Sequence, residues 1–279
     1  MARFDQVTIV GLGLIGGSLG MALRRRRLAK TVVGLSRRAA TLRRARERGA
    51  VDWGTTDPRR AVRNADLVVL AVPVSLIVPI GKTVARFMRP GSILTDVGST
   101  KAAIVQKLDS LSTHVSFVGG HPIAGSEQQG IDAADGQLFQ REVCVLTPTR
   151  RTAPGAVRAV TQLWRGLGAQ VVIMSPSEHD RQLAATSHLP HLIAYALAKT
   201  GVTRVGTPRS FLEMTRIAKS DPDLWDDIFL NNQGALAVAV GRFHRELHAL
   251  EHLVARGKGR RLRQALRRAK VRRDALESH

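Results

Sequence analysis

Three closely spaced glycines near the start of the chain restrict its fold more than any other feature. Residues 7–16 read VTIVGLGLIG, so Gly11, Gly13 and Gly16 follow a short apolar strand and open a predicted helix. In this setting the first glycine allows a tight turn, the second lets a pyrophosphate approach the backbone, and the third lets the helix pack on the strand. The helix N-terminus then offers free N–H groups to phosphates. The pattern predicts a dinucleotide-binding βαβ unit.

The remainder of the first 175 residues alternates short apolar runs with longer amphipathic ones. Such alternation is typical of strands joined by helical crossovers in a mainly parallel sheet. After Met174 every periodic stretch is helical, including a long helix predicted from Leu224 to Arg256 behind the start signal Ser220-Asp221-Pro222. We therefore predict an α/β fold with a sheet domain over residues 1–175 and an all-helical domain over residues 176–279.

Two long uncharged runs raise the question of a signal peptide or a membrane span. Residues 7–23 contain five glycines and are followed by Arg24–Arg27, whereas a signal peptide carries its positive charge ahead of the apolar run. The run from Leu67 to Gly81 is short for a span and contains two prolines. The lone Cys144 lies in an apolar run that predicts a buried, inert thiol. We expect a soluble, cytoplasmic protein with no membrane partner.

The chain is strongly basic, with a formal net charge of +21. Ten Lys or Arg and no acid lie between Arg256 and Arg273, where apolar residues recur at helical spacing. This pattern predicts a basic amphipathic helix. We interpret it as a solvated helix packed on its own domain, with contact to nucleic acid or anionic lipid as the alternative. A charge of this size also suits anionic small molecules as partners.

The segment Ser36-Arg37-Arg38 stands where an acidic residue, about 20 positions after the glycines, would bind the ribose hydroxyls of NAD. An arginine here can pair with the 2′-phosphate of NADP, which a carboxylate would repel. We therefore predict NADP as the cofactor and NAD as the alternative. In the other interpretation, Arg37 and Arg38 merely begin a basic helix. The predicted cofactor-binding residues are Gly11, Gly13, Leu14, Ile15, Gly16, Ser36, Arg37, Arg38 and Ser99.

Two loops after predicted strands carry polar side chains suited to catalysis. In DVGSTK, residues 96–101, Ser99 and Thr100 border the crevice that opens at the carboxyl ends of parallel strands. The presence of Ser99 and Thr100 is explained equally well if they only cap the N-terminus of the following helix. GGHPIAGSEQQG, residues 119–130, contains His121, and a histidine near its normal pKa is a natural general base.

The predicted helical part contains further candidate ligand-binding residues. His188 and His191 lie three residues apart, and Glu213, Arg216 and Lys219 also recur at helical spacing. We predict no metal site, because the zincin pattern H-E-x-x-H is absent and no cysteine cluster accompanies the histidines.

Taken in order, five motifs resemble those of the prephenate and arogenate dehydrogenase family. They are VGLGLIGGS, DVGSTK, HPIAGSE, SHLPH and TRIAKSDPDLWDDIFLNN. The resemblance covers nearly the whole chain, and HPIAGSE and TRIAKSDP are not general features of dinucleotide-binding domains. It implies a Rossmann-type domain, residues 1–175, followed by a helical substrate and dimerisation domain, residues 176–279, in a homodimer.

The resemblance also implies the reaction and the residues that perform it. A cyclohexadienol, prephenate or arogenate, would lose a hydride to NAD(P) and its ring carboxylate as CO2, giving 4-hydroxyphenylpyruvate or tyrosine. By resemblance His121 takes the proton of the ring hydroxyl, and Ser99 helps to orient that hydroxyl. Arg216 would hold a substrate carboxylate with its guanidinium fork. The implied substrate-binding residues are Arg216, His191, Glu127 and Lys219.

Two other hypotheses stay open at this point. An NADP-linked 3-hydroxy acid dehydrogenase would combine the same domain types but rely on a catalytic lysine, for which Lys199 and Lys219 are candidates. That hypothesis leaves HPIAGSE unexplained. In the other, the dinucleotide domain is a sensor and residues 256–273 bind nucleic acid or lipid.

Overall fold

The computed structural model describes residues 4–110, 114–125, 128–201 and 206–276. Its strands are β1 (Phe4–Val10), β2 (Ala29–Leu35), β3 (Trp53–Thr55), β4 (Leu67–Leu70), β5 (Ile93–Asp96), β6 (Ser116–Ile123), β7 (Val143–Thr147) and β8 (Gln170–Ile173). Its α-helices are α1 (Leu14–Arg25), α2 (Ala39–Glu47), α3 (Pro58–Val62), α4 (Val74–Ala85), α5 (Ala102–Leu108), α6 (Pro154–Gly166), α7 (Pro176–Leu183), α8 (Leu189–Thr200), α9 (Arg209–Thr215), α10 (Pro222–Asn231), α11 (Gln233–Ala255) and α12 (Gly259–Ala275). A π-helical turn (Ala184–His188) precedes α8, and 3₁₀ turns lie at Ile131–Ala133 and Arg216–Lys219.

All eight strands join in one sheet with the order β3-β2-β1-β4-β5-β6-β7-β8. Neighbouring strands are parallel except β6 and β7, which are antiparallel. The carboxyl ends of β1 to β6 therefore lie at one end of the sheet. The strand order reverses between β1 and β4, and in open α/β sheets such a switch point is where ligands bind. The predicted fold class, a mainly parallel Rossmann-type sheet followed by helices, is confirmed.

Apolar cores on both faces explain why the central strands are continuous hydrophobic runs. In β4, Leu67 and Val69 belong to one core, and Val68 and Leu70 belong to the other. Helices α1, α2 and α6 contribute to the first core, and α3, α4 and α5 contribute to the second. Cys144 is buried in β7 as part of the first core.

Helix α10 packs on the sheet domain. Its Trp225 and Ile228 belong to the second core, and the Asp227 carboxylate accepts a hydrogen bond of 3.0 Å from the N–H of Ser75 in α4. Residues 1–232 accordingly form one compact unit, and residues 233–279 form a second. The domain boundary near residue 175, which rests on the change of periodicity, stays a prediction.

The long helix predicted from Leu224 to Arg256 is interrupted at Asn232. This residue has φ −129° and ψ 26°, so α10 ends before it and α11 begins after it. Its buried side-chain amide donates a 2.9 Å hydrogen bond to the carbonyl of Asp180. The sequence pattern hides the break because apolar residues continue across it. The short elements β3 and α3 were not predicted either, because neither is long enough to show a period.

The basic segment forms α12, which contacts α11. None of the side chains of α12 is buried, and Leu262 and Ala265 are half-buried. None of the described helices combines the length and the apolarity that a membrane crossing needs.

Candidate active site

The turn between β1 and α1 has the backbone that the glycine pattern predicts. Gly11 has φ +92°, and a Cβ there would lie 2.2 Å from the carbonyl oxygen of Ala71. A Cβ on Gly16 would lie 2.0 Å from the oxygen of Gly11. Helix α1 can therefore begin this close to β1 only because Gly11 and Gly16 have no side chains. At Gly13 no described atom lies within 4 Å of the Cβ position, and the first turn of α1 contains no acid. The residues present therefore fit a dinucleotide pyrophosphate at the start of α1.

The segment after β2 lies beside this turn. The N–H of Gly11 donates to the carbonyl of Leu35, the last residue of β2, over 3.0 Å. Ser36 Oγ then accepts from the N–H of Arg38 over 3.3 Å, and the side chains of Arg37 and Arg38 are exposed. Arg38 also directly precedes α2, which is the role that the alternative interpretation gave it. Two guanidinium groups thus belong to the segment that a ribose would meet.

The predicted base, His121, lies in β6 opposite Val145 of β7. Its Nδ1 is 2.8 Å from Nε2 of His179. Burial lowers the pKa of His121 well below its ordinary value near 6.5, and the positive charges that His179, Lys101 and His188 can carry lower it further. His121 is therefore neutral at physiological pH and able to accept a proton.

Two residues that were not predicted from the sequence lie behind His121. His179 and Asp180 lie in α7, and Nδ1 of His179 is 2.8 Å from Oδ1 of Asp180. The Asp180 carboxylate also accepts from the backbone N–H groups of Lys101 and Ala102, over 2.7 and 2.8 Å. The adjacent His-Asp pair at the start of a helix was the available signal. Nothing local to it points to His121, which lies 58 positions earlier.

A fully buried ion pair lies beside β6, the strand that contains His121. Lys101 Nζ donates to the carboxylate of Asp96 and, over 2.8 Å, to the carbonyl of Gly120. The Asp96 carboxylate also accepts from the N–H groups of Gly98 and Gly120, over 2.9 and 3.2 Å. Burial lowers the pKa of Lys101, and the attraction of Asp96 opposes that shift. The pair ties the DVGSTK segment to the residue before His121.

Ser99 lies inside this tied segment, between Asp96 at the end of β5 and the start of α5 at Ala102. Its side chain is half-buried, and that of Thr100 is buried. The segment contacts β6 at the ligand end of the sheet. Ser99, in the loop after β5, and His121, in β6, therefore belong to neighbouring elements. The role of Ser99 in orienting a substrate hydroxyl stays a prediction.

The helical part brings His191 and Arg216 together. His191 in α8 donates from Nδ1 to the carbonyl of Ser187 over 3.0 Å, and its ring stacks on Trp225 with centroids 3.4 Å apart. Burial lowers the pKa of His191, and the nearby charge of Arg216 lowers it further. Arg216 and Lys219, whose side chains are both exposed, are the first and last residues of one 3₁₀ turn. The Arg216 guanidinium is thus near enough to His191 to act on its ring electrostatically.

Three remaining candidates are placed as follows. Glu127 lies outside the described residues. Lys199, proposed for the 3-hydroxy acid hypothesis, is exposed in the last turn of α8. Across the ranges that the structure describes, no group of three or more His, Cys, Asp or Glu could hold a metal ion.

Two protein-family models match most of the chain. The nucleotide-binding domain of prephenate dehydrogenase matches residues 19–173. The dimerization domain of prephenate dehydrogenase matches residues 175–268.

Individual proteins are similar over nearly the full length. The cyclohexadienyl dehydrogenase of Zymomonas mobilis is 35% identical, over 100% of this chain and 98% of the relative. The structure of prephenate dehydrogenase from A. aeolicus with hydroxyphenyl propionate and NAD+ has a TM-score of 0.90 at 33% identity, over 98% of each chain. The arogenate dehydrogenase of Synechocystis has a TM-score of 0.84 at 31% identity, over 97% of this chain and 99% of that one.

Proposed function

Because this chain belongs to the prephenate dehydrogenase family, we propose that it oxidatively decarboxylates prephenate, arogenate or both. It is an NAD(P)-dependent dehydrogenase of tyrosine biosynthesis. The product is 4-hydroxyphenylpyruvate from prephenate and tyrosine from arogenate. The observation that supports this assignment most directly is His121 at the ligand end of the sheet, a base whose pKa burial holds below its ordinary value, in the same sheet that carries the phosphate-binding turn after β1.

In this proposal His121 acts at Nε2, because its Nδ1 is engaged by His179. Loss of hydride from the carbon that bears the hydroxyl builds positive charge there, so removal of the hydroxyl proton by His121 lowers the barrier. The nicotinamide, when bound, supplies the hydride acceptor. As CO2 leaves, the electron pair of its C–C bond completes the aromatic ring. The ring oxygen then takes the proton back, and His121 ends the cycle neutral.

A comparison of substrates and cofactors tests the assignment. Purified full-length chain is supplied with prephenate or with arogenate, each with NAD or NADP, and reduced cofactor, CO2 and aromatic product are measured together. We expect the three products in equal amounts with at least one substrate. Absence of turnover with both substrates and both cofactors would refute the proposed function.

For the cofactor, we propose that Ser36 and Arg37 bind the 2′-phosphate of NADP, with Arg38 as a weaker contact. Exposed guanidinium groups at the end of β2, beside the glycine turn, support this choice. A charge-assisted hydrogen bond contributes about 1.5–3 kcal/mol, so Arg37→Ala should weaken NADP roughly 10- to 100-fold and NAD much less. Dissociation constants from fluorescence titration measure both. Arg43→Ala, an exposed arginine of α2, is the control. Equal losses of affinity for NADP and NAD would mean that Arg37 only begins the basic helix and does not bind the 2′-phosphate.

For the substrate, we propose that Arg216 binds a carboxylate in a pocket lined by His191, with Lys219 and Glu127 at its rim. The stacking of His191 on Trp225 and its coupling to the charge of Arg216 support this arrangement.

Arg216→Ala should raise KM roughly 10- to 100-fold with a smaller change in kcat, since it removes a charged hydrogen bond to the substrate. Steady-state kinetics of the variant measure both constants. Arg209→Ala, an exposed arginine of α9 paired with Glu213, is the matched control. An unaltered KM would move the carboxylate site elsewhere, with Lys219 the next candidate.

We also propose a homodimer formed through the helical part, in a cytoplasmic enzyme. The match of residues 175–268 to a dimerization domain supports the first point. So do the exposed apolar side chains Val238, Leu247 and Val254 on α11. Light scattering of the purified chain measures the oligomeric state. Whether α12 also binds nucleic acid stays the alternative role of the basic segment.

A further inference from the structure

The carboxylate of Asp180 determines where the hydrogens behind His121 lie. Its Oδ1 accepts from the N–H of Lys101, its Oδ2 accepts from the N–H of Ala102, and Oδ1 also meets Nδ1 of His179 at 2.8 Å. Backbone amides only donate and an ionised carboxylate only accepts, so Nδ1 of His179 carries a hydrogen. The backbone of Asp180 is held as well, because its carbonyl accepts from Asn232 over 2.9 Å.

The hydrogen on Nδ1 of His179 fixes the hydrogen of His121 in turn. His179 is fully buried, and a neutral ring with its hydrogen on Nδ1 has its lone pair on Nε2. That lone pair lies 2.8 Å from Nδ1 of His121, so Nδ1 of His121 is the donor. The lone pair of His121 is then on Nε2, the atom at which it must accept a proton.

The opposite arrangement would disable the base. If the His179 hydrogen were on Nε2, its Nδ1 lone pair would face the Asp180 carboxylate and lose that hydrogen bond. Nε2 of His179 would donate to His121, and His121 would carry its own hydrogen on Nε2. A histidine in that tautomer cannot take the proton of a hydroxyl.

We propose that His179 and Asp180 are positioning residues that hold His121 in the tautomer with its lone pair on Nε2. The inference rests on the proposed function, because it concerns the base of that reaction. When His121 becomes charged, its Nδ1–H still points at the Nε2 lone pair of His179, whose Nδ1 is bound to a carboxylate. The orienting carboxylate of a Ser-His-Asp triad has the same task, and its loss there lowers kcat about 10⁴-fold.

The other ionisable groups around His121 do not perform this task. Lys101 is bound to Asp96 and Gly120, and Cys144 is a buried thiol whose pKa burial raises. His188 accepts at Nδ1 from Asn232 over 3.1 Å, and burial lowers its pKa to about 4, so it is neutral and engaged elsewhere.

Two substitutions at one position separate positioning from a purely structural role. A glutamine amide offers an acceptor to His121 and a donor to Asp180 but cannot take a proton, whereas leucine offers neither. We expect His179→Leu to lower kcat roughly 10²- to 10⁴-fold, and His179→Gln to retain kcat within about tenfold, both with little change in KM. His114→Gln, at an exposed histidine, is the control. Equal large losses in both variants, or no loss in either, would overturn the proposal.

The tautomer can be measured without any substrate. Nitrogen NMR of the histidine-labelled free enzyme at neutral pH, with the His121 signal assigned by its loss in His121→Asn, should show a hydrogen on Nδ1 and none on Nε2. If wild-type enzyme turned over prephenate or arogenate with the hydrogen on Nε2, this inference would be wrong and the proposed function would stand. If the expected tautomer were found in a protein that converts neither substrate, the hydrogen-bond assignment would be supported and the proposed function refuted. The wild-type spectrum decides the point even if the leucine variant does not fold.

Discussion

His121→Asn is expected to lower kcat by roughly 10² to 10⁴ while the dissociation constant of the dinucleotide stays nearly unchanged. Asparagine can still donate a hydrogen bond to His179, so the local packing is kept, but it has no lone pair basic enough to take the hydroxyl proton. Steady-state kinetics and a cofactor titration on the same preparation measure the two quantities. The exposed His114→Asn is the matched control.

The pH dependence of the wild-type enzyme belongs to the same result. His121 must be neutral to act as a base, and burial holds its pKa well below the ordinary value near 6.5. The kcat/KM of wild-type enzyme should therefore stay level from about pH 8 down to about pH 6.5 and fall only at lower pH. The residual activity of His121→Asn should lack that acid limb. A loss of less than tenfold in a folded variant would remove His121 from the mechanism.

Lys101→Met is expected to lower the free energy of unfolding by about 3–5 kcal/mol. The substitution keeps most of the apolar stem but removes the charge that faces Asp96, and both side chains are fully buried. An unpaired carboxylate is then left in the core, which is the costly outcome for a broken buried pair. Urea unfolding without cofactor measures the change, and Lys107→Met at an exposed position of α5 is the control.

A second variant shows whether the charge or the shape of Lys101 matters. In Lys101→Met combined with Asp96→Asn neither charge of the pair remains, so part of the lost stability should return. A single Lys101→Met variant within about 1 kcal/mol of wild type would mean that the buried pair contributes little to folding.

Local sequence patterns predicted the parts of the molecule whose structure is itself local. The tight turn at Gly11, the strand–helix alternation and the family of the enzyme follow from short segments. The break at Asn232 did not, because the side chain that interrupts the helix is held by Asp180, 52 positions away.

The residues of the site likewise divide into those that the sequence predicted and those that it did not. His121 stood out because it belongs to a glycine-rich motif, although the structure places it inside β6 and not in the predicted loop, whereas His179 and Asp180 belong to a plain amphipathic helix. In DVGSTK the hydroxyl groups drew attention, whereas Asp96 and Lys101 make the contacts that fix the segment. Burial decides which polar residue of a motif is structural, and burial is a property of the folded chain.

The antiparallel pairing of β6 with β7 affects how the substrate preference of such an enzyme can evolve. After β6 the strands run the other way, so the sheet offers no further carboxyl end to the ligand side, and His121 on β6 is the last group that it supplies there. In the proposed function, His191 and Arg216, which bind the substrate away from the reacting carbon, come from the later helices. The base itself thus lies on the sheet, and among the later helices α7 supplies His179 and Asp180, which hold that base. Substitutions near His191 and Arg216 can therefore change the preference of the enzyme from a substrate with a keto side chain to one with an amino side chain. The reacting centre stays as it is.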